Sequence, residues 1–153
     1  MTVEEKLQSM GITIPETPKP VAAYVPARRV NNLVFSSGQI PVVKGELKFK
    51  GKLGAEISKE QGYEAAKICA LNGLSSIKSL IGNLDLIEQV VKVVGFVASA
   101  NGFTEQPAVI NGASEFLLAV FGERGKHARS AVGVAELPLG VPVEVEMVVQ
   151  IKS

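Results

Sequence analysis

The sequence is poor in the residues that most often carry chemistry. Its 153 residues include one cysteine, Cys69, one histidine, His127, and no tryptophan. A lone cysteine excludes an internal disulfide. One histidine with one cysteine is too few for a dedicated zinc site. Neither sign of charge prevails: 16 Lys+Arg against 15 Asp+Glu leave a formal net charge of +1. That balance exerts no overall pull on nucleic acid or on a membrane. No uncharged apolar run approaches the roughly 18 residues of a spanning helix. The richest run, Val90 to Ala98, is broken by Lys92 and Gly95. Met1 to Met10 carries Glu4, Glu5 and Lys6 and lacks the apolar core of a signal peptide. These absences lead us to expect a soluble, cytoplasmic, disulfide-free protein.

What is present is a surplus of small apolar residues. Hydrophobic residues make up 46% of the chain, and the mean hydropathy is +0.26. For one small core that is an excess, and it points to a buried subunit surface. The length suits a single domain spanning 1–153, with 1–20 as an N-terminal helix and extended arm.

The helix signals are local and specific. Thr2 with Glu5, and Ser58 with Gln61, form capping boxes. Gly11 closes the first helix, and Pro15, Pro18 and Pro20 force an extended arm after it. Tyr63, Ala66, Ala70, Leu74, Ile77 and Ile81 make the apolar stripe of a long helix that ends at Gly82-Asn83. A second long helix begins near Pro107, with Ile110, Ala113, Phe116, Leu117, Val120 and Phe121 facing inward. Cys69 lies on the apolar side of the first long helix and reads as a core residue.

The strands follow from alternation. Tyr24 to Val30 and Leu33 to Ser37 form a hairpin across Asn31-Asn32. Leu47 to Phe49 is expected as an edge strand. Gln89 to Ala100 is expected as a strand buried on both faces, followed after the second long helix by Arg129 to Ala135 and Val143 to Ile151. The order gives an α+β fold, a mixed sheet with two long helices on one face. The other face is too apolar for water and calls for an oligomer.

On the last strand Val143, Val145, Met147, Val149 and Ile151 form one apolar face. Glu144 and Glu146 share the other, about 7 Å apart. If this strand pairs antiparallel with the one before it, Arg129 and Glu144 stand at opposite ends of a hairpin, and a cleft between chains could bring them to one ligand. Carboxylates on a sheet face are commonly solvated or ion-paired and contribute little. Alternatively, the Arg129 fork binds a small carboxylate bidentately, and Glu144 is the general base for a water molecule. His127 follows the polar turn Gly122 to Lys126 and reads as a surface histidine; the alternative, two residues before Arg129, is a second proton carrier at the mouth of a cleft. Lys48, Lys50 and Lys52 read as a solvated basic face.

Two segments carry a family resemblance. Ser37-Gly38-Gln39-Ile40-Pro41, and His127-Ala128-Arg129-Ser130 through Leu137-Pro138 to Val143-Glu144-Val145-Glu146, resemble the signatures of the RidA/YjgF family, the imine deaminases also called L-PSP endoribonuclease-like proteins. The resemblance extends over roughly Val21 to Ile151. It implies a chorismate-mutase-like fold and a homotrimer, with the sheets forming a central barrel and clefts between subunits. It also implies roles: Arg129 binds the substrate carboxylate, Glu144 activates water, and the Tyr24 hydroxyl lines the cleft. Ser37 and Gly38 form a small-residue turn beside the ligand. Ala131 presents its backbone amide, and Asn111 belongs to the site from the second long helix. The family usually has proline at the position of His127 and often cysteine at that of Ala131. The implied reaction is hydrolysis of 2-imino acids to 2-oxo acids and ammonia, with no cofactor and no metal. The partners implied are a small carboxylate-bearing metabolite and two further copies of the chain. RNA cleavage, and a non-catalytic trimer that binds metabolites, are the alternatives. A near-neutral chain with one histidine is poorly equipped for the first.

Overall fold

Two capping boxes start two of the helices where the sequence places them. In the computed structural model, which describes residues 1–19 and 22–153, helix α1 runs Val3–Ser9 behind Thr2, and helix α2 runs Lys59–Ile81 behind Ser58. In each box the cap hydroxyl takes the backbone N–H three residues on, and the Glu5 or Gln61 side chain returns to the cap backbone. Gly82, at φ +84°, closes α2 in a conformation that a β-carbon disfavours. Helix α3 spans Gln106–Phe121, with Pro107 in its first turn. Pro20 of the expected arm and Val21 lie outside the described residues.

Among the described residues there are also seven strands: β1 Ala27–Val30, β2 Leu33–Ser36, β3 Val42–Val43, β4 Glu46–Leu47, β5 Ile87–Ala98, β6 Ala128–Val134 and β7 Val143–Ile151. Strands β3 and β4 form a small separate ladder whose turn carries Lys44 and Gly45 at positive φ. This corrects the expected edge strand at Leu47 to Phe49, since the Lys44-Gly45 turn pairs residues earlier in the chain. The other five strands form one sheet in the order β1-β2-β7-β5-β6. All neighbours are antiparallel except β5 and β6, which run parallel.

That topology overturns the hairpin considered for the last two strands. Strand β5 lies between β6 and β7, bonded to both. The reason is the segment β5-α3-β6: a helix between two strands is the connection that parallel pairing needs. With α3 carrying β6 to the far side of β5, the edge of β5 toward β2 is left for β7.

Helices α2 and α3 pack on one face of the sheet and against each other. Beneath them lie Val90, Val93, Val97, Val145, Met147 and Val149, nearly or fully buried. A register shift in β5 between Val90 and Lys92 lets Val90 and Val93 both point inward. The helices approach closely where Gly112 meets Tyr63, and a β-carbon on Gly112 would stand 2.0 Å from the Tyr63 carbonyl oxygen. The other sheet face carries Val94, Phe96, Glu144, Glu146 and Val148, none of them buried in the single chain. In the single chain α2 and α3 therefore cover β5 on one face. No helix among the described residues is long and apolar enough to cross a membrane.

Candidate functional site

Arg129 enters the sheet as the second residue of the edge strand β6. It pairs with Val93, which points to the helices, so the arginine points the same way. There α3 receives it. Its Nη1 donates to Asn111 Oδ1 at 2.8 Å and to Ser114 Oγ at 3.2 Å. Asn111 and Ser114 are one helical turn apart and therefore share a face. His127 stands behind Ser114, with Nε2 at 2.9 Å from the hydroxyl and Nδ1 at 2.7 Å from the Gly125 carbonyl. These groups, with Leu118, line a cavity of about 390 Å³. No carboxylate among the described residues forms an ion pair with Arg129. A guanidinium has five N–H donors, so most of its capacity is left for a ligand.

A second cluster forms at the start of β7. After β2 the chain swings out through Ser37 and Gly38 and rejoins the ladder at Gln39, whose backbone exchanges two bonds with Val145, at 2.8 and 3.0 Å. Ser37 is fixed through its N–H to the Pro26 carbonyl at 2.8 Å and its hydroxyl to the Val25 carbonyl at 2.6 Å. Asn72 of α2 clamps the far side of the turn, its Nδ2 donating to the Ile40 and Val42 carbonyls, each at 3.0 Å. Gly38 then lies against the Glu144 side chain. A β-carbon on Gly38 would sit 3.0 Å from Glu144 Cδ. Glu144 is half-buried, and burial, followed by the charge of Glu146, holds its carboxyl above the ordinary range.

The structure therefore joins the expected site residues into two groups. Arg129 meets Asn111, with Ala131 two residues along the same face and packed against the core. Ser37, Gly38 and Glu144 form the other group. Phe96 links the two: it pairs with Val132 on one side and Glu144 on the other. Val132 is three residues beyond Arg129, so Arg129 and Glu144 point to opposite faces. Two strand spacings and three residue rises, each about 10 Å, also separate them. Tyr24 joins neither group and is 61% exposed.

His127 is a correction. It is half-buried and both ring nitrogens are engaged, where its polar flanks had suggested a surface histidine. Ser114 and Asn72 were missed. Ser114 could have been found as the residue one turn from Asn111; for Asn72, within a helix, the sequence has no signal. Cys69 is buried, as expected, which pushes its thiol well above the ordinary value. Among the described residues no three His, Cys, Asp or Glu side chains gather where they could hold a metal ion.

Fold and motif together define an α+β protein of the chorismate-mutase-like type. The family model described as "YjgF/chorismate_mutase-like, putative endoribonuclease" matches residues 4–150. The chain is 41% identical over 152 residues to Protein TCP17 of Trypanosoma cruzi, spanning 99% of this chain and 95% of the relative. It is 32% identical to the 2-iminobutanoate/2-iminopropanoate deaminase of Dermatophagoides farinae, over 92% of this chain and 95% of that one. The crystal structure of a "putative endoribonuclease" from Shewanella oneidensis MR-1 superposes with a TM-score of 0.95 at 30% identity, covering 99% of this chain and 100% of the other. The chain belongs to the RidA/YjgF family.

Proposed function

We propose that the protein hydrolyses 2-imino acids, or their enamine tautomers, to 2-oxo acids and ammonia. One observation carries the reading: Arg129, held by Asn111 and Ser114 at the wall of a cavity, has no carboxylate partner among the described residues. An arginine placed in this way is a receptor for a small planar anion. In a 2-imino acid the carboxylate adjoins the electrophilic C=N carbon, so anchoring the one positions the other. Glu144 takes a proton from water as the water adds to that carbon. A tetrahedral carbinolamine forms and its nitrogen is protonated; the C–N bond then breaks to release ammonia as the hydroxyl gives up its proton and becomes the C=O of the 2-oxo acid. The raised affinity of Glu144 for a proton suits a general base. The Tyr24 hydroxyl and the Gly38 and Ala131 backbone amides complete the cleft. The relative named as an imine deaminase supports the same reading.

The separation of Arg129 from Glu144 supports a site built between copies of the chain. A trimer would lay the β6 edge of one copy beside the Gly38 turn of the next and cover the open sheet face that carries Val94, Phe96 and Val148. The test generates imines in situ with an amino-acid oxidase and traps them with semicarbazide. Wild-type protein should suppress the adduct, and Arg129→Ala should not. Binding of 2-oxo acids without any suppression would identify a non-catalytic metabolite-binding protein instead.

A further inference from the structure

The hydrogen bonds behind Arg129 have a fixed direction. The Gly125 carbonyl can only accept, so His127 Nδ1, at 2.7 Å, carries the ring proton. In the neutral imidazole Nε2 then accepts, and the Ser114 hydroxyl 2.9 Å away donates to it. The same Oγ accepts from Arg129 Nη1 at 3.2 Å. Donation runs from Arg129 to Ser114 to His127 to Gly125, and the single hydroxyl proton of Ser114 is committed to the ring.

Protonating His127 reverses one bond in this chain. Nε2–H now donates to Ser114 Oγ, whose two lone pairs are filled by His127 and Arg129. The hydroxyl proton is released and can turn into the cavity that Ser114, His127 and Arg129 line. We propose that Ser114 and His127 form a proton-linked positioning relay behind Arg129, in which protonation of His127 frees the Ser114 hydroxyl for a ligand carboxylate and couples carboxylate binding to uptake of one proton. The inference rests on the reading of Arg129 as the carboxylate anchor.

The charges around His127 agree with this. Arg129 faces it from β6. Lys126, on the same loop, is paired with Glu123 at 3.0 Å. Glu115 of α3 lines the cavity, and its Oε1 is engaged by the Tyr63 hydroxyl at 3.0 Å. Arg124 donates to the Ile87 carbonyl at 2.7 Å. No carboxylate among the described residues hydrogen-bonds to His127, so an imidazolium there finds its counterion in an anionic ligand. With the cavity empty, burial and then the Arg129 charge hold the ring below its ordinary value, against the opposing effect of the Gly125 bond. A carboxylate on Arg129 offsets the repulsion, so the affinity of His127 for a proton rises on binding. By reciprocity, carboxylate affinity rises as pH falls through the same range.

The experiment uses the full chain and 2-oxobutyrate, a 2-oxo acid that carries the carboxylate but no imine to hydrolyse. Because the chain has one histidine, its ring Cε1–H resonance reports His127 alone. The pH midpoint of that resonance should rise on saturation with 2-oxobutyrate. Calorimetric affinity should strengthen as pH falls between about 8 and 5, by at most about tenfold per unit. His127→Gln keeps an acceptor for Ser114 but cannot titrate, and its affinity should be independent of pH. An unmoved His127 midpoint in saturated wild-type protein, or a pH dependence that survives in His127→Gln, overturns the relay. Arg129→Ala separates the two readings. If it binds 2-oxobutyrate as wild type does, the anchor assignment fails; if it loses binding while wild-type affinity is flat with pH, only the relay fails.

Discussion

Gly38 lies against the carboxylate of Glu144, so close that a β-carbon on the glycine would stand 3.0 Å from Glu144 Cδ and 3.2 Å from Oε2. The contact is set by the outward turn between β2 and Gln39, not by left-handed backbone, since Gly38 is not among the residues with positive φ. Alanine is thus permitted by the backbone and opposed only by the glutamate. Gly38→Ala should fold with wild-type stability to within about 1 kcal/mol. It should lower kcat/KM for imine hydrolysis by roughly tenfold to a hundredfold, because a small displacement of a positioned base is costly. Thermal melts and semicarbazide competition, run on the same preparation, separate the two effects. Full activity would detach the turn from the chemistry.

Glu144 also predicts a pH profile. A general base works deprotonated, and burial together with Glu146 raises the pH needed to deprotonate this one. Activity should therefore fall on the acid side at a higher pH than an ordinary carboxylate, whose reference value is 4.5, would give. Glu146→Gln removes one cause of the shift, so the acid limb should move to lower pH. Glu144→Gln should cost about a hundredfold or more in kcat while 2-oxobutyrate still binds. A limb that stays in place in Glu146→Gln would assign it to another group.

The crossing of α2 and α3 is tightest at Gly112, where no side chain separates α3 from the α2 backbone. A β-carbon on Gly112 would be 2.0 Å from the Tyr63 carbonyl oxygen and 2.8 Å from its carbon, and neither can move without the helix backbone. Gly112→Ala should destabilise the fold by about 1–3 kcal/mol or somewhat more, read from the denaturant midpoint. Asn111 adjoins this contact and holds Arg129, so 2-oxobutyrate binding should weaken as well. A variant as stable as wild type would mean that the helices separate freely.

The sequence was most legible where the cause is local. Thr2 with Glu5 and Ser58 with Gln61 need only their own side chains and backbone, and both boxes form. Alternation from Val143 to Ile151 assigned one face of β7 correctly, because the helices bury every second residue. Strand adjacency was not legible. That β5 separates β6 from β7 depends on where α3 returns the chain, and alternation within a strand does not specify its neighbour. Nor does a polar turn reveal that His127 is half-buried: Ser114 lies thirteen residues earlier, and only the packing of α3 beside β6 brings the two together.

The opposite orientations of Arg129 and Glu144 lead to a test by subunit mixing. If each site takes its arginine from one copy and its glutamate from the next, Arg129→Ala and Glu144→Ala are each inactive alone but complementary together. Co-refolding equal amounts should rebuild about a quarter of the sites, since the two intact residues meet with a probability of one half each in a randomly mixed ring. Activity near that fraction, absent from the separate preparations, would establish a shared site. A charge placed on the open face gives an independent control. Val148, paired with Phe35 and Lys92, changed to lysine should leave the core under α2 and α3 intact but disperse the assembly, because a second ammonium directly across from Lys92 is repelled and cannot be buried there. Sedimentation should then find monomers, and deamination should be lost with them. A stable monomer of wild-type protein, or a monomeric Val148→Lys that retains full turnover, would show that Arg129 and Glu144 do not act on one substrate.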